Sequence, residues 1–216
     1  MAKQKRDSEA TKAKIIENAM HLFSEDGFDA TTVDKVAQKS GVNKALLYYY
    51  YKNKVGLYEA VMSEILTSIH HKILESEKCC KSPLGELKTF IETYARYTQK
   101  HPYFPALLLR ELSDGGRNLP DIMFTNMRCL FKLLSDTLKD GEKEGIFHNV
   151  TPMIIYFMII GTLNLLITTK SLRAKAEEID EIDTCSNCSI DEISDYIFQK
   201  TKLMLEVTDE ENISCT

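Results

Sequence analysis

The chain has 216 residues, of which 44% are hydrophobic and 27% are charged, and its formal net charge is −5. These proportions are ordinary for a soluble globular protein, and they exclude a low-complexity or repetitive chain. With only nine glycines and five prolines, the sequence favours long helices over many short strands.

Charge is divided unevenly along the sequence. Residues 1–58 hold ten Lys and Arg against seven Asp and Glu, a balance of +3, whereas the remaining residues hold 17 against 25, a balance of −8. A basic N-terminal segment on an acidic body is typical of a protein that presents one end to phosphates. The basic start (Lys3, Lys5 and Arg6) would add non-specific affinity for such a partner. An asymmetry of this size also arises by chance, so it indicates nucleic acid only together with a motif.

The sequence predicts neither a secretory signal nor a membrane span. No apolar core follows the basic start. The most apolar run, 153–169, is short for a bilayer span and is interrupted by Gly161, Thr162 and Asn164, so we expect a helix that is buried on both sides. We therefore expect a cytoplasmic protein with no membrane partner.

The first predicted helix has one apolar face. Its apolar residues recur at helical spacing, at Ile15, Ala19, Leu22 and Phe23. Gly27 follows as the C-terminal stop, because glycine tolerates the backbone conformation that ends a helix.

Two short helices and a tight turn are predicted next. Thr31 and Asp34 have the spacing of a capping box, which predicts a second helix that ends near residues 40–41. Asn43 is placed to cap a third helix over 44–51. Two short helices joined by a turn that contains glycine indicate a helix-turn-helix.

The rest of the sequence predicts six longer helices and no strand. We expect them at about 54–76, 83–100, 104–112, 119–144, 152–174 and 190–207. The polar, acidic stretch 177–189 predicts a surface loop.

The first three helices resemble the signature of the TetR/AcrR family of transcriptional regulators in residue type and spacing. The matching positions are Thr11, Ile15, Ala19, Leu22, Phe23, Gly27, Thr31, Thr32, Val36, Ala37, Gly41, Val42, Leu47, Tyr48, Tyr51, Lys54 and Leu57. The resemblance implies an all-α fold with a three-helix, helix-turn-helix DNA-binding domain at 9–69 and a larger helical domain at 70–208 for effector binding and dimerisation. The chain departs from the family's usual residues at Asn43, Ala45 and Tyr51, where Ser or Thr, Gly and Phe are common.

The resemblance also implies a set of DNA contacts. It implies that Thr31, Thr32 and Lys54 bind the phosphate backbone. It also implies that five residues face bases: Asn43, Lys44, Ala45, Tyr48 and Tyr49. Residue chemistry agrees, because an ammonium group suits guanine or phosphate and phenols reach phosphates and thymine methyls. Leu47 and Tyr51 take the core positions of the third helix, which leaves Tyr50 outward as a further candidate contact.

The C-terminal part predicts a homodimer and a pocket for a small molecule. TetR-like proteins dimerise through their last two helices, here 151–174 and 190–207, and the first of these is apolar nearly all round. A dimer would read a palindromic operator in double-stranded DNA, and an apolar or amphipathic effector would release it. The candidate pocket residues mix aromatic, methionine and polar types: Tyr94, Tyr97, Phe104, Leu108, Glu111, Met123, Met127 and Phe131.

Cys185 and Cys188 have CxxC spacing, but a tetrahedral zinc site needs four ligands and the sequence has no second CxxC. Only the adjacent Cys79 and Cys80 offer a further pair. We therefore expect free thiols and no metal, while metal or redox chemistry at this motif stays an alternative.

The sequence carries no motif of an enzyme. The sequence contains no GxSxG, P-loop, HExxH or dinucleotide fingerprint, so we expect no enzymatic activity and no cofactor. Two alternatives stay open: a transcriptional activator of the same fold, which the residues do not distinguish from a repressor, and a helical adaptor that binds proteins.

Overall fold

The computed structural model describes residues 2–77, 82–180 and 184–207. The side chains of the predicted basic arm and the Cys79–Cys80 pair lie outside what it describes. Within the described ranges the chain forms no strand, and its ten helices confirm the all-α prediction. They are α1 (Ala2–Ala30), α2 (Val33–Ser40), α3 (Lys44–Tyr51), α4 (Lys54–Glu77), α5 (Pro83–Lys100), α6 (Tyr103–Ser113), α7 (Asp121–Lys143), α8 (Pro152–Thr168), α9 (Lys170–Asp180) and α10 (Ile190–Leu205).

The first compact unit joins Met1–Ser68 with Tyr103–Asn126. The sequence predicted a single boundary near residue 69, whereas the structure groups α6 with the N-terminal helices. In this unit α1 packs against α2 and α6, and α2 packs against α3. The ring of Tyr58 meets those of Phe23 and Phe28 edge-on, with centroids 4.8 Å and 4.9 Å away. Burial of such rings is the main stabilising contribution to a small helical unit.

The second compact unit joins Ile69–Pro102 with Met127–Thr216. In it α5 packs against α8 and α10, and α8 also contacts α9 and α10. The buried Tyr94 hydroxyl donates a hydrogen bond to Asn164 Oδ1 at 3.0 Å. This bond gives both buried polar groups a partner, so α5 and α8 meet without an unsatisfied donor.

The helix expected over 152–174 is divided in the structure. α8 ends at Thr168, and α9 continues to Asp180, well into the stretch that was predicted as a loop. The Thr169 hydroxyl donates to the Leu165 carbonyl at 2.6 Å, and Arg173 Nη2 donates to the Leu166 carbonyl at 2.7 Å. Side chains that bond to the carbonyls of a helix's last turn compete with its backbone bonds and bend it.

None of the described helices is by itself long and apolar enough to cross a bilayer. The bent pair α8 and α9, at 65° to each other, meets that test only when its two helices are taken together, by length and composition.

Candidate functional site

The turn between α2 and α3 is fixed by local backbone chemistry. Gly41 ends α2 with φ 65°, in the left-handed region that glycine adopts freely. The Val42 amide donates back to the Ala37 carbonyl at 3.0 Å. Asn43 then caps α3, because its Oδ1 accepts a hydrogen bond from the Ala45 amide at 2.8 Å. α3 therefore starts at a fixed position relative to α2, as a helix that reads DNA requires.

The two sides of α3 differ in exposure. Leu47 is buried against the first unit, whereas Tyr48 is 45% exposed and Tyr49 is 80% exposed. Lys44 and Ala45 at the start of the helix are exposed as well. A short helix with one buried anchor and an exposed, aromatic and basic side has the shape and chemistry to enter a major groove.

Lys44 is held by an acidic neighbour in the free protein. Its Nζ lies 2.8 Å from the Asp34 carboxylate and 5.8 Å from the centre of the Tyr48 ring. The hydrogen bond to Asp34 raises the pKa of Lys44, so the ammonium stays charged. Both partners of this ion pair are exposed, and exposed pairs are weak. A phosphate or a guanine is therefore able to displace Asp34.

Tyr50 and Tyr51 are partly buried by other residues of the first unit. The Tyr50 hydroxyl lies 3.0 Å from Ser8 Oγ, and Lys12 Nζ stands 5.4 Å from the Tyr50 ring centre. Burial raises the pKa of Tyr51 to about 12. Tyr50 therefore has a partner on α1, and its contact with DNA stays a prediction.

The two neighbouring threonines have different roles. Thr31 is fully buried, and its hydroxyl donates to the carbonyls of Leu22 and Gly27 at 3.1 Å and 2.8 Å. Thr32 is exposed and caps α2, accepting a hydrogen bond from the Lys35 amide at 3.2 Å. A buried hydroxyl cannot reach a phosphate, which corrects the prediction for Thr31. It also moves the predicted cap of α2 by one residue.

Lys54, the first residue of α4, points along the surface of the first unit. Its Nζ donates to the Asp29 carbonyl at 3.1 Å and stands 4.4 Å from the centre of the Phe28 ring. Because the start of a helix also offers unpaired amides, an ammonium group held here adds to an anion-binding position.

Four of the predicted pocket residues belong to the first unit and are buried: Phe104, Leu108, Glu111 and Met123. Glu111 is 3% exposed, and its Oε2 has no hydrogen-bond partner. The buried Tyr58 hydroxyl also lacks one. Burial and, to a smaller extent, the hydrogen-bonding and charge interaction with Glu111 raise the pKa of Tyr58, so the two groups are near neighbours. Buried polar atoms without partners are rare and are typical of sites that take a ligand or water.

The other four predicted pocket residues belong to the second unit: Tyr94, Tyr97, Met127 and Phe131. Tyr94 is buried and paired with Asn164. Tyr97 is buried, with its ring 4.5 Å from that of His101. Phe131 is partly exposed and meets Tyr156 edge-on at 5.7 Å. That these residues bind an effector stays a prediction.

An apolar groove of about 590 Å³ lies in the second unit, and we call it the α8–α10 groove. Its lining comes from α8, from the turn before α10 and from α10: Met158, Thr162, Leu166, Cys185, Cys188, Glu192, Ile193, Tyr196, Ile197, Lys200, Thr201 and Met204. α8 exposes further apolar side chains around it, including Ile154, Phe157 and Leu165. An apolar patch of this kind on a single chain marks a surface that another molecule covers.

Cys185 and Cys188 are joined by a disulfide, with their Cα atoms 5.0 Å apart. This corrects the expectation of free thiols at the CxxC motif. In the part of the chain that the structure describes, His, Cys, Asp and Glu form no cluster of three or more that could hold a metal ion.

Sequence reasoning missed the role of Arg110 on α6. Its Nη1 donates to the carbonyls of Ser24 and Glu25 at 3.1 Å and 2.8 Å, near the end of α1. The only signal in the sequence is one basic residue at the end of an apolar run, 104–109. Its partners are backbone atoms far away in the chain, so no motif could identify them.

Two family descriptions match the chain. Residues 15–61 match the bacterial regulatory proteins of the tetR family, and residues 83–193 match the tetracyclin repressor-like C-terminal domain. The second match alone covers more than half of the sequence. The chain therefore belongs to the TetR family, which confirms the resemblance seen in the signature, and it is a DNA-binding transcriptional regulator.

Named relatives agree with this assignment. The HTH-type transcriptional regulator RutR of Escherichia coli (strain K12) is 29% identical over 157 residues, 73% of this chain and 74% of RutR. The HTH-type transcriptional repressor SCO4008 of Streptomyces coelicolor is 25% identical over 170 residues, 78% of this chain and 84% of that protein. The crystal structure of the transcriptional regulator FadR from Bacillus subtilis in complex with stearoyl-CoA has the same fold, with a TM-score of 0.70 at 19% identity over 89% of this chain and 98% of FadR.

Proposed function

We propose that the chain is a repressor that binds a palindromic operator as a homodimer and leaves it when a small molecule binds. The observation that carries this proposal is the exposed side of α3, where Tyr48 and Tyr49 stand beside Lys44 while Leu47 anchors the opposite side. The relative SCO4008, which matches 78% of this chain, is a transcriptional repressor.

The DNA contacts divide into two groups. In the first, α3 enters the major groove and turns its exposed side to base edges through Asn43, Lys44, Ala45, Tyr48 and Tyr49. In the second, Thr32 and Lys54 bind phosphates at the starts of α2 and α4, where helix dipoles favour an anion. Phosphate contacts supply affinity and register, and base contacts supply sequence preference.

The homodimer forms through α8 and α10. One helix-turn-helix binds DNA weakly, and two of them about one helical turn apart read a palindrome. The occupant proposed for the α8–α10 groove is a second copy of the chain, because a two-fold interface presents the same apolar patch on both sides. Exposed Ile154, Phe157 and Tyr196 supply large apolar side chains for such an interface.

The effector binds beside Glu111 and Tyr58. Phe104, Leu108 and Met123, buried residues of the same unit, are its candidate apolar lining, and the buried Glu111 carboxyl and Tyr58 hydroxyl are its candidate polar end. A buried polar atom without a partner costs about 1–3 kcal/mol, which a hydrogen bond from a ligand recovers. An amphipathic effector fits this description, and the structurally similar FadR was crystallised with stearoyl-CoA. The predicted pocket residues of the second unit, Tyr97, Met127 and Phe131, stay candidates for the same role.

The cellular setting follows from this function. A repressor of this kind works in the cytoplasm, where its operator lies, and we propose no catalytic activity for it. The relatives named above are transcriptional regulators.

Selection of bound sequences from random double-stranded DNA tests the proposal. We expect the purified chain to enrich a palindrome whose half-sites lie about one helical turn apart or slightly more. A reporter placed behind that palindrome should fall in expression when the chain is produced. Enrichment without repression, or with increased expression, contradicts the repressor assignment. No enriched sequence at all contradicts operator binding and favours a helical adaptor.

A further inference from the structure

The CxxC motif brackets the turn that leads from α9 into α10. Its two cysteines are joined by a disulfide, and of the two residues between them Ser186 is buried and Asn187 is exposed. Cys185 has φ 55°, a left-handed conformation that residues with a side chain rarely adopt. A short loop closed in this way has one defined shape, and opening the disulfide removes that constraint.

This turn is also anchored on α9 by two charged side chains. Glu177 accepts hydrogen bonds from the amides of Thr184 and Ser186 at 3.2 Å and 3.1 Å, and from both hydroxyls. Arg173 Nη1 donates to the carbonyls of Thr184 and Cys185, both at 2.6 Å. The N-terminal half of the turn is therefore fixed by α9. The disulfide from Cys185 to Cys188 then restrains the position of Cys188 relative to that half.

The shape of the turn decides where α10 begins. Ser189, directly after Cys188, caps α10 in a reciprocal capping box with Glu192. Both cysteines also line the α8–α10 groove, beside Ile193 and Tyr196 of α10. The disulfide thus connects an anchored turn to the first residues of a helix that lines the apolar groove.

We propose that Cys185 and Cys188 form a reversible dithiol–disulfide site whose oxidation state sets the strength of the homodimer. This inference rests on the proposed dimer through α8 and α10. Both cysteines are partly exposed, so a small thiol or disulfide can reach them in the single chain. The oxidised form holds the start of α10 in the position that completes the groove, and the reduced form loosens it.

The oxidant is a low-molecular-weight disulfide. One cysteine thiolate attacks it, forms a mixed disulfide and releases one small thiol. The second cysteine then attacks the chain's own sulfur in that mixed disulfide and releases the other small thiol. Two electrons and two protons pass from the dithiol to the small disulfide, and no further reactant is needed. In a reducing compartment the dithiol form is favoured until the small disulfide accumulates, so the oxidation state of the pair would follow the thiol–disulfide balance.

The test uses the full chain with Cys79, Cys80, Cys129 and Cys215 changed to Ser, equilibrated with mixtures of reduced and oxidised glutathione. Alkylation followed by mass spectrometry should show Cys185 and Cys188 changing state together and reversibly. The homodimer dissociation constant, measured by sedimentation, should be at least about fivefold lower in the oxidised form, and operator affinity should follow. Wild-type chain, mapped in the same way, guards against a folding defect in the substituted background.

The matched control replaces Cys185 and Cys188 with Ser in the same background, and it should behave as the reduced form in every glutathione mixture. Dissociation constants that agree within about twofold between the oxidised and reduced forms overturn the redox inference but leave the dimer intact. A cysteine pair that stays in one state across all mixtures also overturns it. A chain that is monomeric in both states overturns the proposed dimer as well.

Discussion

The exposed side of α3 and the exposed side of α8 both leave large side chains in solvent, but their chemistry differs. α3 presents phenols, at Tyr48 and Tyr49, beside a lysine. α8 presents hydrocarbon, with Ile154 59% exposed and Phe157 58% exposed. A phenol keeps a hydrogen bond in a wet, polar interface, whereas a hydrocarbon side chain contributes only where water is excluded. Two surfaces that are both exposed therefore favour different partners, a hydrated polyanion for α3 and another protein surface for α8.

A charge placed on the exposed apolar side of α8 should have the largest effect. Phe157→Glu should raise the homodimer dissociation constant by about 100-fold or more, because each subunit would bury an unpaired carboxylate. Sedimentation equilibrium measures the change directly. Operator affinity should fall with it, since two half-sites need a dimer.

The matched control is Phe124→Glu on α7, because Phe124 is 57% exposed and belongs to the first unit, whereas α8 belongs to the second. It makes the same chemical change at nearly the same exposure. If both variants weaken the dimer equally, or neither does, the assignment of the α8 surface to dimerisation is wrong.

The next largest effect is expected on the phenol surface. Tyr49→Ala should lower operator affinity by roughly 30-fold or more, because a lost base contact costs at least about 1 kcal/mol and the dimer loses two. The homodimer dissociation constant should not change. Tyr49→Phe separates the ring from the hydroxyl, and fluorescence anisotropy with the selected operator measures both variants. Equal affinity for Tyr49→Ala and wild type would remove Tyr49 from the interface.

A smaller effect distinguishes the two threonines that the sequence treats alike. Thr31→Val should lower the free energy of unfolding by about 1–2 kcal/mol, because the Leu22 and Gly27 carbonyls lose a buried donor. Thr32→Ala should lower it by about 1 kcal/mol through the lost cap. Only Thr32→Ala should also weaken operator binding, by severalfold, measured at a temperature where both variants are folded. Weaker binding by folded Thr31→Val would contradict its structural role.

The smallest expected effect is a pH dependence of the turn before α10. Hydrogen bonds from Ser186 and Thr184 lower the pKa of Glu177 to about 2, from an ordinary value of 4.5. Because the folded pKa is depressed, this stabilisation is complete above about pH 4.5 and is lost as the pH falls towards 2. The thermal midpoint of wild type should therefore decline more steeply over this range than that of Glu177→Gln. Parallel curves would show that the carboxylate bonds do not stabilise the fold.

The first three helices could be predicted well because their signals are local. α3 occupies the predicted range, since Asn43 caps it and Leu47 supplies its buried anchor within a few residues. The start of α2 was misplaced by one residue because Thr31 and Thr32 both have a hydroxyl suited to capping. Only burial, which depends on the packing of α1, decides between them.

Elsewhere the deciding contacts are distant in sequence. The bend after α8 depends on Arg173 and the Thr169 hydroxyl, neither of which disturbs the apolar pattern that predicted one long helix. The role of Tyr94 depends on Asn164, which lies 70 residues away. A list of apolar and aromatic candidates cannot separate Tyr94, whose hydroxyl has a buried partner, from Glu111, whose Oε2 has none.

The hydrogen bonds from Arg110 to the end of α1 affect the order in which the newly synthesised chain can fold. Ser24 and Glu25 leave the ribosome more than 80 residues before the arginine that binds their carbonyls. The first unit is complete only when the chain has been synthesised to about Asn126, by which time α5 is already made. We expect a fragment that ends at Ser68 to lack a stable end to α1. A nascent chain therefore completes the unit that carries α3 only after α5 has been made.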